Sequence, residues 1–193
     1  MAARSFDSAG RSVPRVHQVT RLAAHPAIKL PLRPRLIAIA PSMVEAIRFA
    51  GGWLFDQVMA GWDVTVLTSD HADSRPLRIL GARAVDLEAT LARPVRGPCL
   101  QAIAVRGDLY DSDAGVRRMV LGLGESLAEI RFWGDPPEGL DGTAGPVRHR
   151  LSMAARAFKA QALAAAAAPA DPDEVAEVFR RGEIRRSTSV SAS

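Results

Sequence analysis

Leu36-Ile37-Ala38-Ile39-Ala40, stopped by Pro41, is followed by Ser42-Met43-Val44-Glu45, a long amphipathic segment closed at Gly61, and then Val64-Thr65-Val66-Leu67-Thr68. The two short apolar or β-branched runs are strands. Ser42 with Glu45 three residues on has the form of a capping box, which opens a helix, and Gly61 ends it. A helix flanked by two such strands predicts a parallel pair in an α/β sheet.

Working outward, Leu77, Ile79 and Leu80 before Gly81 predict a short helix, and Ala84-Val85-Asp86-Leu87 a brief third strand. Cys99-Leu100-Gln101-Ala102-Ile103-Ala104-Val105 is apolar on both faces, as a central strand is. Asp113 caps a helix to about Gly122. Ala128 to Trp133 alternates and predicts a fifth strand at the sheet edge, with Ala128, Ile130 and Phe132 on one face. A helix is expected from Val147 through the alanine-rich run to Ala168, and a last short helix over Asp173 to Arg181. The expected fold is a three-layer α/β sandwich with a mainly parallel, Rossmann-like or flavodoxin-like five-stranded sheet and flexible termini. Short right-handed crossovers make strand order 3-2-1-4-5 the simplest.

The chain of 193 residues is 48% apolar and 5% aromatic, enough for one folded core. Residues 1–34 read as a flexible basic arm containing Pro14, Pro26, Pro31 and Pro34, residues 35–168 as the single domain, and 169–193 as a short helix and polar tail. The pI near 10.1 belongs to the arm. Seven basic residues up to Arg35 face the single acid Asp7, whereas Leu36 to Asp171 carries 14 basic and 16 acidic residues. Nucleic-acid association would therefore run through the arm, and no stacking aromatics or reading helix accompany it. Cys99 is the one cysteine, which excludes an internal disulfide. No secretory or membrane-spanning apolar stretch is expected, and the reading is cytoplasmic with no membrane partner.

In a doubly wound sheet, ligands gather at the carboxyl ends of the strands. Those ends are Pro41-Ser42, Ser69 to Arg75, Arg106 to Asp113 and Gly134 onward, which makes Ser42, Asp70, His71, Asp73 and Asp108 the candidate ligand-binding residues. The first turn has no glycine and contains Pro41, so it lacks a dinucleotide fingerprint. Asp70-His71-Ala72-Asp73-Ser74 holds the residue types of a hydrolase triad, but neighbours on one loop seldom align as one. Asp111-Ser112-Asp113-Ala114-Gly115 departs from a calcium loop in the place of its glycine. No catalytic residue, metal site or cofactor is assigned.

On the long helix, Val44, Ile47, Gly51, Leu54, Val58 and Trp62 form the stripe laid on the sheet, widened by Met43, Phe55 and Met59. Phe49 and Trp53 fall on nearly the opposite side, beside Glu45, Gly52 and Asp56. Either another part of the chain covers them or they bind a partner or a second copy. The favoured expectation is a non-enzymatic binding or regulatory protein working through Phe49, Trp53 and Trp133. The alternative is a small-molecule, phosphate-ligand or metal-dependent enzyme using the rim.

Overall fold

The computed structural model describes residues 33–70, 73–93, 100–124, 127–138 and 145–182. All of them lie in the second of two compact units, Leu32–Ser193. His71, Cys99 and all of the arm expected over 1–34 except Arg33 and Pro34 lie outside the described residues.

Among the described residues, seven strands form one sheet: β1 (Arg35–Ile39), β2 (Asp63–Thr68), β3 (Arg83–Asp86), β4 (Leu100–Arg106), β5 (Glu129–Trp133), β6 (Pro146–Arg150) and β7 (Ala176–Arg181). Six helices join them: α1 (Met43–Met59), α2 (Arg75–Ile79), α3 (Leu87–Leu91), α4 (Gly107–Ser112), α5 (Ala114–Leu123) and α6 (Met153–Ala165). Across the sheet the order is β3-β2-β1-β4-β5-β7-β6. The first five strands are parallel, in the expected order, whereas β7 runs antiparallel to both β5 and β6. The expectation of a five-stranded sheet with β5 at its edge is thus corrected. Pro146–Arg150 and Ala176–Arg181 are strands rather than helix, and they extend the sheet beyond β5.

Side-chain alternation divides the core between two faces. Leu36 and Ala38 of β1, with Ala40 just after it, pack with Ala102 and Ala104 of β4 beneath α1, α2 and α6. Ile37, Ile39, Ile103 and Val105 face the other way, toward Leu87, Val116 and Val120 of α3 and α5. Ser42 caps α1 by accepting the Glu45 N–H at 3.2 Å, and Gly61 takes φ +91°, a conformation that suits glycine.

Helix α1 is buried on two faces, and this overturns the aromatic surface. Trp53 is 1% exposed and packs on Phe179 of β7 with ring centroids 5.0 Å apart. Trp133 is equally buried in the same cluster. Phe49 alone of the three is exposed, at 41%. The cover is the β6-α6-β7 unit, which lies where the sequence suggested helix and tail. A β-carbon at Gly52 would lie 2.5 Å from Leu151 Cδ2, so glycine there lets that unit approach closely.

Docking is fixed by a buried polar cluster. Glu177 of β7 accepts the N–H groups of Gly52 and Trp53 at 2.9 and 2.8 Å, and Lys159 of α6 holds its Oε1 at 2.6 Å. Lys159 also pairs with Glu174 at 2.7 Å. Burial pushes the Glu177 carboxyl above its usual 4.5, opposed by Lys159 and the two amides.

Nearby, Asp56 accepts from Ser152 Oγ at 2.6 Å and lies 2.9 Å from His149 Nε2. Partial burial acts to raise its pKa, but the hydrogen bonds from Ser152 and His149 outweigh it and hold the carboxyl below 3.8. Asp56 therefore contributes stability that is complete above the unfolded value near 3.9 and lost as the pH falls through the lowered folded value. Urea midpoints measured from pH 6 to pH 2 should fall less steeply for Asp56→Asn than for the wild type; parallel curves would remove Asp56 from the acid limb.

Candidate functional site

Strand order reverses between β1 and β4, since the chain leaves β1 toward β2 and returns from β3 to β4 on its other side. Ligands in open α/β sheets bind in the crevice at the carboxyl ends of strands where this reversal occurs. The structure brings Glu45, Arg106 and Asp108 together there. Arg106 Nη1 pairs with Glu45 Oε1, and Arg106 Nε meets Asp108 Oδ1 at 2.6 Å. The guanidinium also lies over the Phe49 ring, 5.6 Å from its centroid.

Each member is positioned by local chain geometry. Glu45 sits in the first turn of α1, and its backbone N–H forms one half of the capping box. Its carboxylate turns to Arg106 instead of back to the Ser42 backbone, as a complete capping box would require. Arg106 is the last residue of β4, and Asp108 opens α4 after Gly107. A β-carbon at Gly107 would stand 1.7 Å from the Asp135 carbonyl oxygen, so glycine is what allows this turn to meet the loop after β5. Gly134 has φ +73°, and its added β-carbon would be 3.0 Å from Arg106 Nε. The guanidinium is therefore backed by chain on the β5 side.

Of the sequence-derived candidates, Asp108 belongs to this cluster and Ser42 stands at its edge as the α1 cap. Asp70 donates its N–H to Thr68 Oγ1 at 3.3 Å, and Asp73 accepts the Arg75 N–H at 2.9 Å, so both serve the β2–α2 connection. The residues that sequence reasoning missed are Glu45, read there as a cap partner, and Arg106. The available signal was that Arg106 ends the strongest apolar strand at the reversal point.

Among the described residues, no group of three or more His, Cys, Asp or Glu side chains is placed to hold a metal ion. In the turn after β1, Pro41, Met43 and Val44 carry no oxygen, nitrogen or thiolate side-chain ligand, and the Ser42 hydroxyl is engaged as the α1 cap. The two carboxylates at the reversal point are held by a guanidinium. A divalent cation does not fit this set.

Beside Phe49 and Gly134 opens a cavity of about 320 Å³, lined further by Phe132, Val178, Phe179 and Arg180. Arg131 stacks on Trp53 at 4.7 Å and reaches Phe179 at 5.4 Å behind this wall. The indole N–H groups of Trp53 and Trp133 are buried with no acceptor among the described residues. No described helix is long and apolar enough to cross a membrane.

No protein-family model matches the chain. No curated protein matches it either. Solved structures do share its fold. The A40926 pseudoaglycone deacetylase is 18% identical, with a TM-score of 0.52 over 77% of this chain and 97% of that one. A triple mutant of a deacetylase involved in the teicoplanin biosynthetic pathway is 14% identical, with a TM-score of 0.53 over 80% of this chain and all of that one. The zinc-inhibited form of teicoplanin deacetylase gives 12% identity, the same TM-score and the same coverage. At such identities the likeness is one of fold. The reading as a non-enzymatic protein acting through an aromatic helix surface is corrected on two grounds: two of its three aromatics are core residues, and the proteins sharing the fold are enzymes.

Proposed function

We propose that the chain is a small-molecule enzyme that hydrolyses an N-acyl amide at the rim between β1 and β4. The observation that carries this reading is the Glu45–Arg106–Asp108 cluster at the reversal of strand order. The deacetylases of the same fold supply the reaction class.

The chemistry follows from the residue types. Amide hydrolysis needs a base to take a proton from water and a positive group facing the oxygen that becomes negative as water adds. Glu45 carries the base: its side chain is one-fifth exposed, Oε1 is buried against Arg106, and its backbone is fixed in the first turn of α1. Arg106 provides the positive group, with Asp108 setting the plane of the guanidinium. In the balanced reaction, water adds to the carbonyl carbon and Glu45 takes its proton. The C–N bond then breaks as that proton passes to the leaving nitrogen, giving a carboxylic acid and an amine.

The test is release of primary amine from a panel of N-acetylated amines and amino acid amides, read with an amine-reactive fluorophore. Turnover in the wild type that disappears in Glu45→Gln, with an unchanged melting temperature, is the expected result. Equal amine release by the two proteins, or none by either across the panel, would overturn the assignment.

A further inference from the structure

Strands β5 and β7 are paired over Arg131↔Arg181 and Phe132↔Arg180, and no further. Beyond that point β5 stays paired with β4 as far as Trp133, and the chain then turns at Gly134, φ +73°, toward Gly107 at the end of β4, away from β7. Strand β7 continues to Ala176 with β6 on its other side, paired throughout from Pro146↔Arg180 to Arg150↔Ala176. The cavity beside Phe49 lies in the wedge between the two diverging strands, because its lining takes Phe132 and Gly134 from one and Ala176 to Arg180 from the other.

The direction of the backbone groups follows from two hydrogen bonds. Gly182 N–H donates to Ile130 O at 3.0 Å, so even-numbered residues of this strand address β5. Leu151 N–H donates to Val175 O at 3.0 Å, so odd-numbered residues address β6. In an antiparallel ladder the N–H and C=O of one residue point to the same side, and successive residues alternate. Val178 and Ala176 therefore turn their N–H and C=O toward the space that β5 has vacated. Two such rungs lie about 7 Å apart, the span of a single residue capped by an amide at each end.

We propose that this wedge binds the substrate as a short surrogate strand, an N-acyl amino acid amide or similar molecule with two amide groups and an aromatic side chain. The inference rests on the rim reading for the reaction and adds the class of molecule that reaches it. The amides pair with Val178 and Ala176, which is β-strand addition limited to two rungs. The aromatic group lies against Phe49 and Phe179, which line the same cavity. A volume of about 320 Å³ admits such a molecule. Phe49 belongs to both places, lining the wedge and lying under Arg106, so a bound amide is delivered toward the Glu45–Arg106 pair.

The test is a titration of the full chain, labelled with ¹⁵N, with N-acetyl-L-phenylalaninamide, followed by amide chemical shifts. Saturable shifts of Val178 and Ala176, with Glu177 and Phe179 much less affected, are expected. Proline at 178 removes the N–H that faces the wedge and leaves the β6 ladder its donors, so Val178→Pro should bind at least tenfold more weakly. Ala176→Pro, at the first residue of the strand where proline is tolerated, carries the same expectation should Val178→Pro not fold. Shifts that leave Val178 and Ala176 unmoved, or a folded proline variant of undiminished affinity, overturn the wedge. These outcomes are separate from turnover: amide shifts without hydrolysis remove the rim reaction alone, and hydrolysis without them removes the wedge alone.

Discussion

Lys159→Met should lower the unfolding free energy by about 3–5 kcal/mol, the usual cost of leaving a buried charge without its partner. Lys159 is 3% exposed and Glu177 2%, so water replaces little of what is lost. For a chain of this size, the melting temperature should fall on the order of 10 °C. Removing the ammonium leaves Glu177 with the two α1 amides, and burial then drives the carboxyl further up. A carboxyl whose folded pKa is raised contributes stability that is full below the unfolded value near 4.3 and lost as the pH rises through the folded value. The deficit of Lys159→Met relative to the wild type should therefore widen from pH 4 to pH 8. Adding Glu177→Gln removes the stranded charge and keeps a carbonyl oxygen for an α1 amide, so the double variant should recover part of the loss. Chemical denaturation across that range decides it. A Lys159→Met protein as stable as the wild type at pH 7, or a deficit that does not change with pH, would show that the pair does not hold β7 on α1.

The parallel half of this molecule was legible because its signals are local and redundant. Strands β1 and β4 are buried on both faces and read as continuous apolar runs, and α1 carries a side-chain cap at one end and a positive-φ glycine at the other. The antiparallel half had neither kind of signal. Pro146-Val147-Arg148-His149-Arg150 opens with proline and alternates with charges, and its partner strand lies across the whole of α6. In β7 the residue aimed into the core is Glu177, which reads as a solvent-facing position until Lys159 and two amides are seen around it. The same blindness affected the site. Glu45 has a sufficient local explanation as part of a cap, and its pairing with Arg106 spans more than sixty positions of the chain, a distance that periodicity does not reach. Phe49 and Trp53 were read as equivalent because they are four apart, yet Arg106 covers one while β7 and α6 bury the other.

Arg106→Ala should reduce kcat/KM for amide hydrolysis by about 10²- to 10³-fold, the effect typical of removing one group that stabilises a developing oxyanion. That corresponds to about 2.7–4 kcal/mol of transition-state stabilisation. Most of the loss belongs in kcat, because the negative charge on oxygen develops as water adds and is absent from the bound amide. Two carboxylates would also be left facing one another without a cation. Lysine should not restore the rate. Arg106 uses Nη1 for Glu45 and Nε for Asp108, two donors held apart by a rigid plane, whereas a single ammonium offers one point of charge. Guanidinium ion added to Arg106→Ala should recover part of kcat where ammonium ion does not, a response that a general loss of structure would not give. The fold should lose about 1–3 kcal/mol, because the side chain is only one-fifth exposed and buried Glu45 Oε1 is left without its donor. The decisive comparison is the pH profile of kcat/KM for wild type, Arg106→Ala and Arg106→Lys alongside their melting temperatures. Unchanged rates in Arg106→Ala, or a full rescue by lysine, would place the oxyanion elsewhere than at this guanidinium.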